Sequence, residues 1–129
     1  MRLALCICPQ WSVQTPSFAI GSLKSHINNK DVVVDQIDLN ILSSIYTKEK
    51  NIEKFWDWGN DKPWNSETNF QTEILPYFKE LWHEYIEKLS TYDVVAFTTY
   101  TSNIITTDYI ARYVKQKNPK IQIWYGGPY

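Results

Sequence analysis

The sequence lacks the glycine-rich loops that bind phosphate groups in many nucleotide-binding proteins. Only four glycines occur in 129 residues, and residues 8–12, which follow the first predicted strand, contain none. Neither the G-x-G-x-x-G fingerprint of dinucleotide-binding domains nor a glycine-lysine phosphate loop is present there. Dinucleotide binding and nucleoside triphosphate hydrolysis therefore have little support from the sequence.

Residues that ligate metals or act as nucleophiles are also scarce. The only cysteines are Cys6 and Cys8, and the only histidines are His26 and His83, which fall in predicted helices. A metal site at the two cysteines would need further ligands, whereas free cysteine commonly packs as a small hydrophobic residue. No paired carboxylates or Ser-His-Asp set stands out. The chain therefore offers no catalytic or metal-ligating residue, and its few cysteines favour packing in a protein of the reducing cytoplasm.

Neither a strong charge excess nor a long hydrophobic run is present. The formal net charge is -1, which gives no indication of binding to nucleic acid or to an anionic membrane surface. The apolar run at the start stops at Pro9, too short for a membrane span and without a cleavage site for a targeting signal. It is interpreted as a buried strand. The length suits one domain over residues 1–129.

Short apolar segments alternate with amphipathic ones along the chain. Thr15 and Pro16 suit the N-cap and first turn of a helix that ends near residues 28–29, and residues 104–118 form a second helix. Strands are predicted near residues 2–8, 32–38, 93–98 and 121–125. The alternation predicts an α/β fold with a three-layer, doubly wound parallel sheet of flavodoxin-like (Rossmann-like) design and strand order 2-1-3-4.

A helical and aromatic insertion, at about residues 41–92, separates the second and third strands. It contains one long amphipathic helix with a predicted buried face, made of Ile74, Leu75, Phe78, Leu81, Trp82, Tyr85, Ile86 and Leu89. Residues 55–64 form an aromatic loop with Trp56, Trp58 and Trp64. These tryptophans suit packing in a core or between domains, and an alternative is a binding surface for a partner.

Candidate ligand-binding residues follow the strands, because open α/β sheets bind ligands at the carboxyl ends of their strands. Residues 98–103 carry a cluster of hydroxyl and amide groups, of which one of Thr101, Ser102 and Asn103 is expected to cap the next helix. Gly126 and Gly127, after the fourth strand, form a turn or leave bare backbone against which a flat ligand lies. Asp38, after the second strand, is expected to cap a helix or to be solvated rather than to bind a ribose, because the glycines of a dinucleotide site are missing.

The order of several short motifs resembles one family. The motifs are Cys8-Pro9, a strand that ends in Asp38-Leu39-Asn40, residues 93–98 followed by Tyr100 and Ser102-Asn103, and Gly126-Gly127-Pro128. Together they resemble the N-terminal cobalamin-binding domain of cobalamin-dependent radical S-adenosylmethionine (radical SAM) proteins. The resemblance spans nearly the whole chain.

This resemblance implies that cobalamin lies on the carboxyl edge of the sheet. The family's cofactor-binding positions correspond to Thr98, Thr99, Thr101, Ser102, Gly126 and Gly127. In many cobalamin proteins outside this group, a D-x-H-x-x-G motif after the first strand supplies a histidine ligand to cobalt, whereas this chain has Gln10-Trp11-Ser12 there. The cobalt face is therefore expected to lack a histidine ligand.

The resemblance also implies that catalysis resides elsewhere. Radical SAM domains bind a 4Fe-4S cluster and S-adenosylmethionine through C-x-x-x-C-x-x-C, a motif that this chain lacks. Family members continue after the Gly-Gly-Pro segment, so the chain is expected to be an inactive front part of a larger enzyme. That parent enzyme would act on a small molecule or peptide, by methyl transfer or a related radical reaction. The alternative is a non-enzymatic interaction domain that lost the cofactor and binds a partner through its aromatic segment.

Overall fold

A single parallel sheet forms the centre of the molecule. The computed structural model describes residues 1–14, 16–51, 53–56 and 61–128. The strands are β1 (Arg2–Ile7), β2 (Val33–Asp38), β3 (Val94–Thr98) and β4 (Gln122–Gly126). All pairs are parallel and the order is β2-β1-β3-β4, which confirms the predicted flavodoxin-like α/β fold and strand order.

Helices cover both faces of this sheet. They are α1 (Phe18–His26), α2 (Leu39–Glu49), the short turn α3 (Glu67–Asn69), α4 (Leu75–Leu89) and α5 (Ile104–Lys117). Helix α1 covers one face, where Ile20 packs in a cluster with Leu3 and Val94. Helices α2, α4 and α5 cover the opposite face, which carries Cys6 and Val95. No helix in the described ranges is long and apolar enough to cross a membrane.

The start of the chain is a strand buried on both sides, as its continuous apolar run predicts. Every residue of β1 after Arg2 is buried, and Cys8 directly beyond it is buried as well. Cys6 and Cys8 are both free thiols with no exposed surface. Their predicted role as packing residues is therefore confirmed.

Helix α1 starts later than the sequence predicts. Its N-cap residue is Ser17, whose extended backbone (φ -64°, ψ 108°) places Pro16 before the helix rather than in its first turn. The Ser17 N–H donates to an oxygen of Asp38 at 3.4 Å, which holds this entry segment against the end of β2. Thr15, the expected cap, lies outside the described residues.

Helix α2, which follows β2 directly, was missed by the sequence prediction. Asp38 caps it, with one carboxylate oxygen accepting the N–H of Ile41 at 2.9 Å, so the predicted capping role of Asp38 is confirmed.

The side of α2 that faces the core is partly apolar and partly polar. Leu39 is buried, and Leu42 and Tyr46 pack against the core. Ser43 donates to the Leu39 carbonyl at 2.6 Å and accepts from the Trp82 indole at 3.0 Å. The apolar residues have helical spacing (i, i+3, i+7), but the buried serines between them weaken the hydrophobic pattern.

Helix α4 confirms the predicted long amphipathic helix in the second half of the insertion. A π-helical turn, Phe70–Ile74, leads into it. Its fully buried residues are Phe78, Trp82, Ile86 and Leu89. Leu81 and Tyr85 are half-buried at the border of that face, so they contribute less to the core than their spacing predicts.

The described part of the aromatic segment packs into the core. Phe55 and Trp64 are buried, and the Trp64 indole donates to the Phe55 carbonyl at 3.1 Å. The Trp64 ring lies 5.8 Å from the ring of Phe78 on α4. Trp56 is half-buried, and Trp58 lies outside the described residues. Phe55 and Trp64 therefore pack in the core and do not form a free binding surface.

Candidate functional site at the carboxyl edge of the sheet

Three chain segments meet where the parallel strands end. Residues 8–12 follow β1, residues 99–103 follow β3, and residues 126–128 include the end of β4. Because β1 and β4 flank β3 on either side, the segment after β3 lies between the other two. This is the edge at which open α/β sheets bind ligands.

Asn103 ties the first two segments together. It is fully buried, and its amide nitrogen donates to the carbonyls of Cys8 at 3.2 Å and Thr98 at 3.1 Å. Its amide oxygen accepts the N–H of Tyr100 at 2.8 Å. Asn103 occupies the N-cap position of α5, but its side chain makes no cap hydrogen bond. Asn103, one of the three residues expected to cap this helix, therefore fixes the geometry of the two loops instead.

The segments after β3 and β4 are joined through Thr99. Its N–H and its hydroxyl both donate to the Gly126 carbonyl, at 2.6 Å and 2.9 Å. Gly127 has a φ of +121°, and a Cβ on it would lie 2.5 Å from the Thr99 carbonyl oxygen. Only glycine permits this close approach of two backbones.

Gly126 differs from its neighbour because the space beside it is open. A Cβ added to Gly126 would meet no other atom within 4 Å. The residue is exposed at the end of β4, so its backbone is accessible from outside the sheet. Of the glycine pair, Gly127 serves the internal turn, and Gly126 presents the bare backbone that a flat ligand could approach.

A cavity of about 310 Å³ opens at this edge, and its lining includes hydroxyl groups. It is lined by Trp11, Tyr100, Thr101, Ser102 and Pro128. Thr101 is exposed, and the Ser102 hydroxyl donates to the Gln10 carbonyl at 2.7 Å, which leaves its oxygen lone pairs as acceptors. The cavity can therefore offer hydrogen bonds together with aromatic surface.

An aromatic pair forms one wall of the cavity. The rings of Trp11 and Tyr100 stack with centroids 4.1 Å apart and planes inclined by 10°. Trp11 is nevertheless 42% exposed. Buried Asn40 on α2 holds the Trp11 backbone, accepting its N–H at 3.0 Å and donating to the carbonyls of Trp11 and Ser12 at 3.2 Å and 3.1 Å.

The six residues expected to contact a cofactor all lie near this edge, but their environments differ. Thr101 and Ser102 line the cavity, and Gly126 has open space beside it. Thr98 and Thr99 are buried, and Thr99 and Gly127 have internal structural roles. The prediction overlooked Trp11 and Asn40, although both occur in segments that follow strands.

Metal-ligating groups are not concentrated here. The described residues contain no group of three or more His, Cys, Asp and Glu side chains placed to hold a metal ion. The hydrogen bond with Cys8, together with burial, raises the pKa of the Cys6 thiol well above its ordinary value. His26 ends α1 and His83 lies on α4, and neither lines the cavity.

Comparison with known proteins adds no further assignment. The chain matches no protein-family model, no curated protein and no solved structure. Its function is therefore argued from the geometry described above and from the motifs of its sequence.

Proposed function

We propose that this domain binds cobalamin at the carboxyl edge of its sheet and presents it to a radical SAM domain of the same protein, in the cytoplasm. The observation that carries the proposal is the 310 Å³ cavity between the segments that follow β1, β3 and β4. The motif order supports the choice of cofactor. The cavity size lies at the lower end of small-molecule sites, so it would take part of a corrinoid while the corrin ring stays outside.

The open space at Gly126 suits a large, flat cofactor. No atom within 4 Å would contact a Cβ on this residue, so a ligand can approach its backbone from that side. The Gly127 turn, held against Thr99, sets the position of this exposed backbone. The two glycines would therefore have different roles: Gly127 shapes the turn, and Gly126 allows contact with the ligand.

The polar groups at this edge suit the nucleotide tail of cobalamin, which carries phosphate and hydroxyl groups. The Thr101 hydroxyl and the acceptor lone pairs of Ser102 are placed in the cavity lining.

The residues that line the cavity include no histidine, so they would give a bound corrinoid no histidine ligand. When bound, the corrinoid would supply a transferable methyl group or related chemistry to a neighbouring active site. The domain's own part would be to bind and orient it through Thr101, Ser102 and Gly126. The iron-sulfur cluster and S-adenosylmethionine would be held by the radical SAM domain, and the substrate would be a small molecule or peptide.

The second candidate, an interaction domain that uses its aromatic segment, has less support. Phe55 and Trp64 are buried in the core, so they are not available to a partner. A docking function would have to rest on other residues.

A titration with hydroxocobalamin, followed by visible absorption, tests the proposal on the protein in its full natural length. Saturable binding with one corrinoid per chain is expected. The informative variant is Gly126→Leu, because the open space there lets the side chain block the ligand without a clash inside the protein. Loss of at least about tenfold in affinity is expected, equivalent to about 1.4 kcal/mol.

Two controls separate blockage from misfolding. Gly21→Ala on α1 places a Cβ in ordinary contact with Gln36, away from the site, and should bind cobalamin like the unmodified protein. Gly127 is a poor test position, because a side chain there collides with the Thr99 backbone whether or not a ligand binds. Absence of corrinoid binding, or equal binding by Gly126→Leu, would disprove the proposal.

A further inference from the structure

The Trp11–Tyr100 pair lines the cavity and combines ring stacking with partial exposure of Trp11. One face of the Trp11 indole is covered by Tyr100, yet 42% of the residue is exposed. Large aromatic side chains usually bury their surface, and a half-exposed one beside a cavity is available for a ligand. Trp124 on β4 is exposed to a similar extent, 50%, but it is not among the cavity-lining residues.

The backbone of Trp11 is fixed more firmly than its exposure suggests. Asn40 is 1% exposed and makes three hydrogen bonds to the backbone of Trp11 and Ser12. Ser102 holds the preceding residue by donating to the Gln10 carbonyl. An exposed ring on an anchored backbone loses little conformational freedom when a ligand stacks on it, which favours binding.

We propose that Trp11 and Tyr100 form a stacking platform for the planar base of the nucleotide tail of the corrinoid. This inference rests on the proposed function and assigns one part of the ligand to one part of the site. The base would extend the aromatic stack on the side of Trp11 that Tyr100 leaves free. Thr101 and Ser102, which line the same cavity, would bond to the sugar and phosphate next to the base.

The size of the cavity favours the base over the corrin ring as the stacked group. A volume of 310 Å³ accommodates one planar heterocycle with its neighbouring sugar, whereas a whole drug-sized ligand needs pockets that reach about 1,000 Å³. The corrin macrocycle would have to lie outside, over the open backbone at Gly126. The two ends of the ligand would therefore depend on different residues.

Comparison of two ligands on variants of the full natural protein tests this division. Cobinamide has the corrin ring but lacks the nucleotide base, so it serves as the matched ligand control for cobalamin. Trp11→Ala should weaken cobalamin binding about 5- to 150-fold, the range for loss of one base-aromatic stack, and should leave cobinamide binding unchanged. Trp11→Phe should retain most of the cobalamin affinity, because it keeps an aromatic face.

The protein control is Tyr113→Ala, which removes a similarly exposed aromatic ring (38%) on α5, outside the cavity, and should change neither affinity. Equal weakening of both ligands by Trp11→Ala would overturn the inference in favour of contact with the corrin ring or a shifted loop. No effect on either ligand would overturn it as well, while cobalamin binding to the unmodified protein would leave the proposed function standing. If the unmodified protein binds neither corrinoid, both the proposed function and this inference are disproved.

Discussion

Among individual residues, Asn103 links the loop after β1 to the loop after β3 through its buried amide. Its three hydrogen bonds join Cys8, Thr98 and Tyr100, which belong to two of the segments that line the cavity. All three bonds are made to the backbone, so they set the path of the chain rather than the position of a single side chain. Substitutions at position 103 therefore test whether this amide holds the two loops together.

Asn103→Ala should destabilise the protein by about 1–3 kcal/mol or more, because it leaves buried backbone groups of Cys8 and Thr98 without a partner. The free energy of unfolding from urea denaturation measures this effect. Asn103→Asp should be similarly destabilising, since a carboxylate cannot donate to the two carbonyls.

Asn118, at the other end of α5, provides the matched control for this prediction. It is half-buried and its amide donates to one carbonyl, that of Ser90, at 3.0 Å. Asn118→Ala should cost less, about 0.5–1.5 kcal/mol. An Asn103→Ala variant as stable as Asn118→Ala would show that the buried amide does not hold the loops.

Among the helices, α2 and α4 illustrate two ways in which a helix can be buried. Helix α4 has an apolar face and was recognisable from its spacing. Helix α2 buries Ser43, Ser44 and Thr47, and the hydroxyls of Ser43 and Thr47 donate to carbonyls of their own helix. The two helices meet through the hydrogen bond from the Trp82 indole to Ser43. Burial of α2 therefore combines the apolar contacts of Leu39, Leu42 and Tyr46 with hydrogen bonds, and a hydrophobicity pattern records only the apolar contacts.

The cost of substitutions on α4, measured as free energy of unfolding, should distinguish residues of its buried face from residues at the border of that face. Trp82→Ala should cost about 3–5 kcal/mol, because the side chain is fully buried and its indole bonds to Ser43. Leu81→Ala should cost less than about 2 kcal/mol, below the range for a fully buried leucine, since Leu81 is half-buried. Chemical denaturation of both variants measures the difference, and equal costs would contradict the assigned orientation of the helix.

For the molecule as a whole, the two buried thiols report on cooperative unfolding. Cys6 and Cys8 have no exposed surface, and the pKa of Cys6 is raised by the Cys8 hydrogen bond and by burial. Since the thiolate is the reactive form, neither cysteine should react with a thiol reagent while the sheet is intact.

The reaction with a chromogenic disulfide reagent tests this expectation. A protein made of residues 1–129 should release almost no chromophore over minutes in its native state, and the same sample in concentrated urea should release two equivalents per chain. Rapid reaction without denaturant would mean that β1 opens locally and that the centre of the sheet is less stable than its burial indicates.

Much of the candidate site could be located from the sequence, but not the roles of its residues. Strand ends identify the carboxyl edge, which is how Thr101, Ser102 and Gly126 could be selected. The sequence could not distinguish Gly126 from Gly127, because the difference lies in which of them packs against Thr99. Nor could it reveal that Trp11 stacks on Tyr100, since they lie 89 positions apart in the chain and only the sheet brings β1 next to β3.

The amino-acid pattern alone determined the strands, their parallel arrangement and the face of α4, because hydrophobic periodicity and the handedness of connections act locally or between neighbouring elements. The Asn103 hydrogen bonds and the cavity walls were determined by tertiary contacts. In both, groups from separate loops come together, and such contacts leave no periodic trace along the chain. The fold could thus be predicted from the order of apolar segments, whereas the chemistry of the edge depended on how three loops pack together.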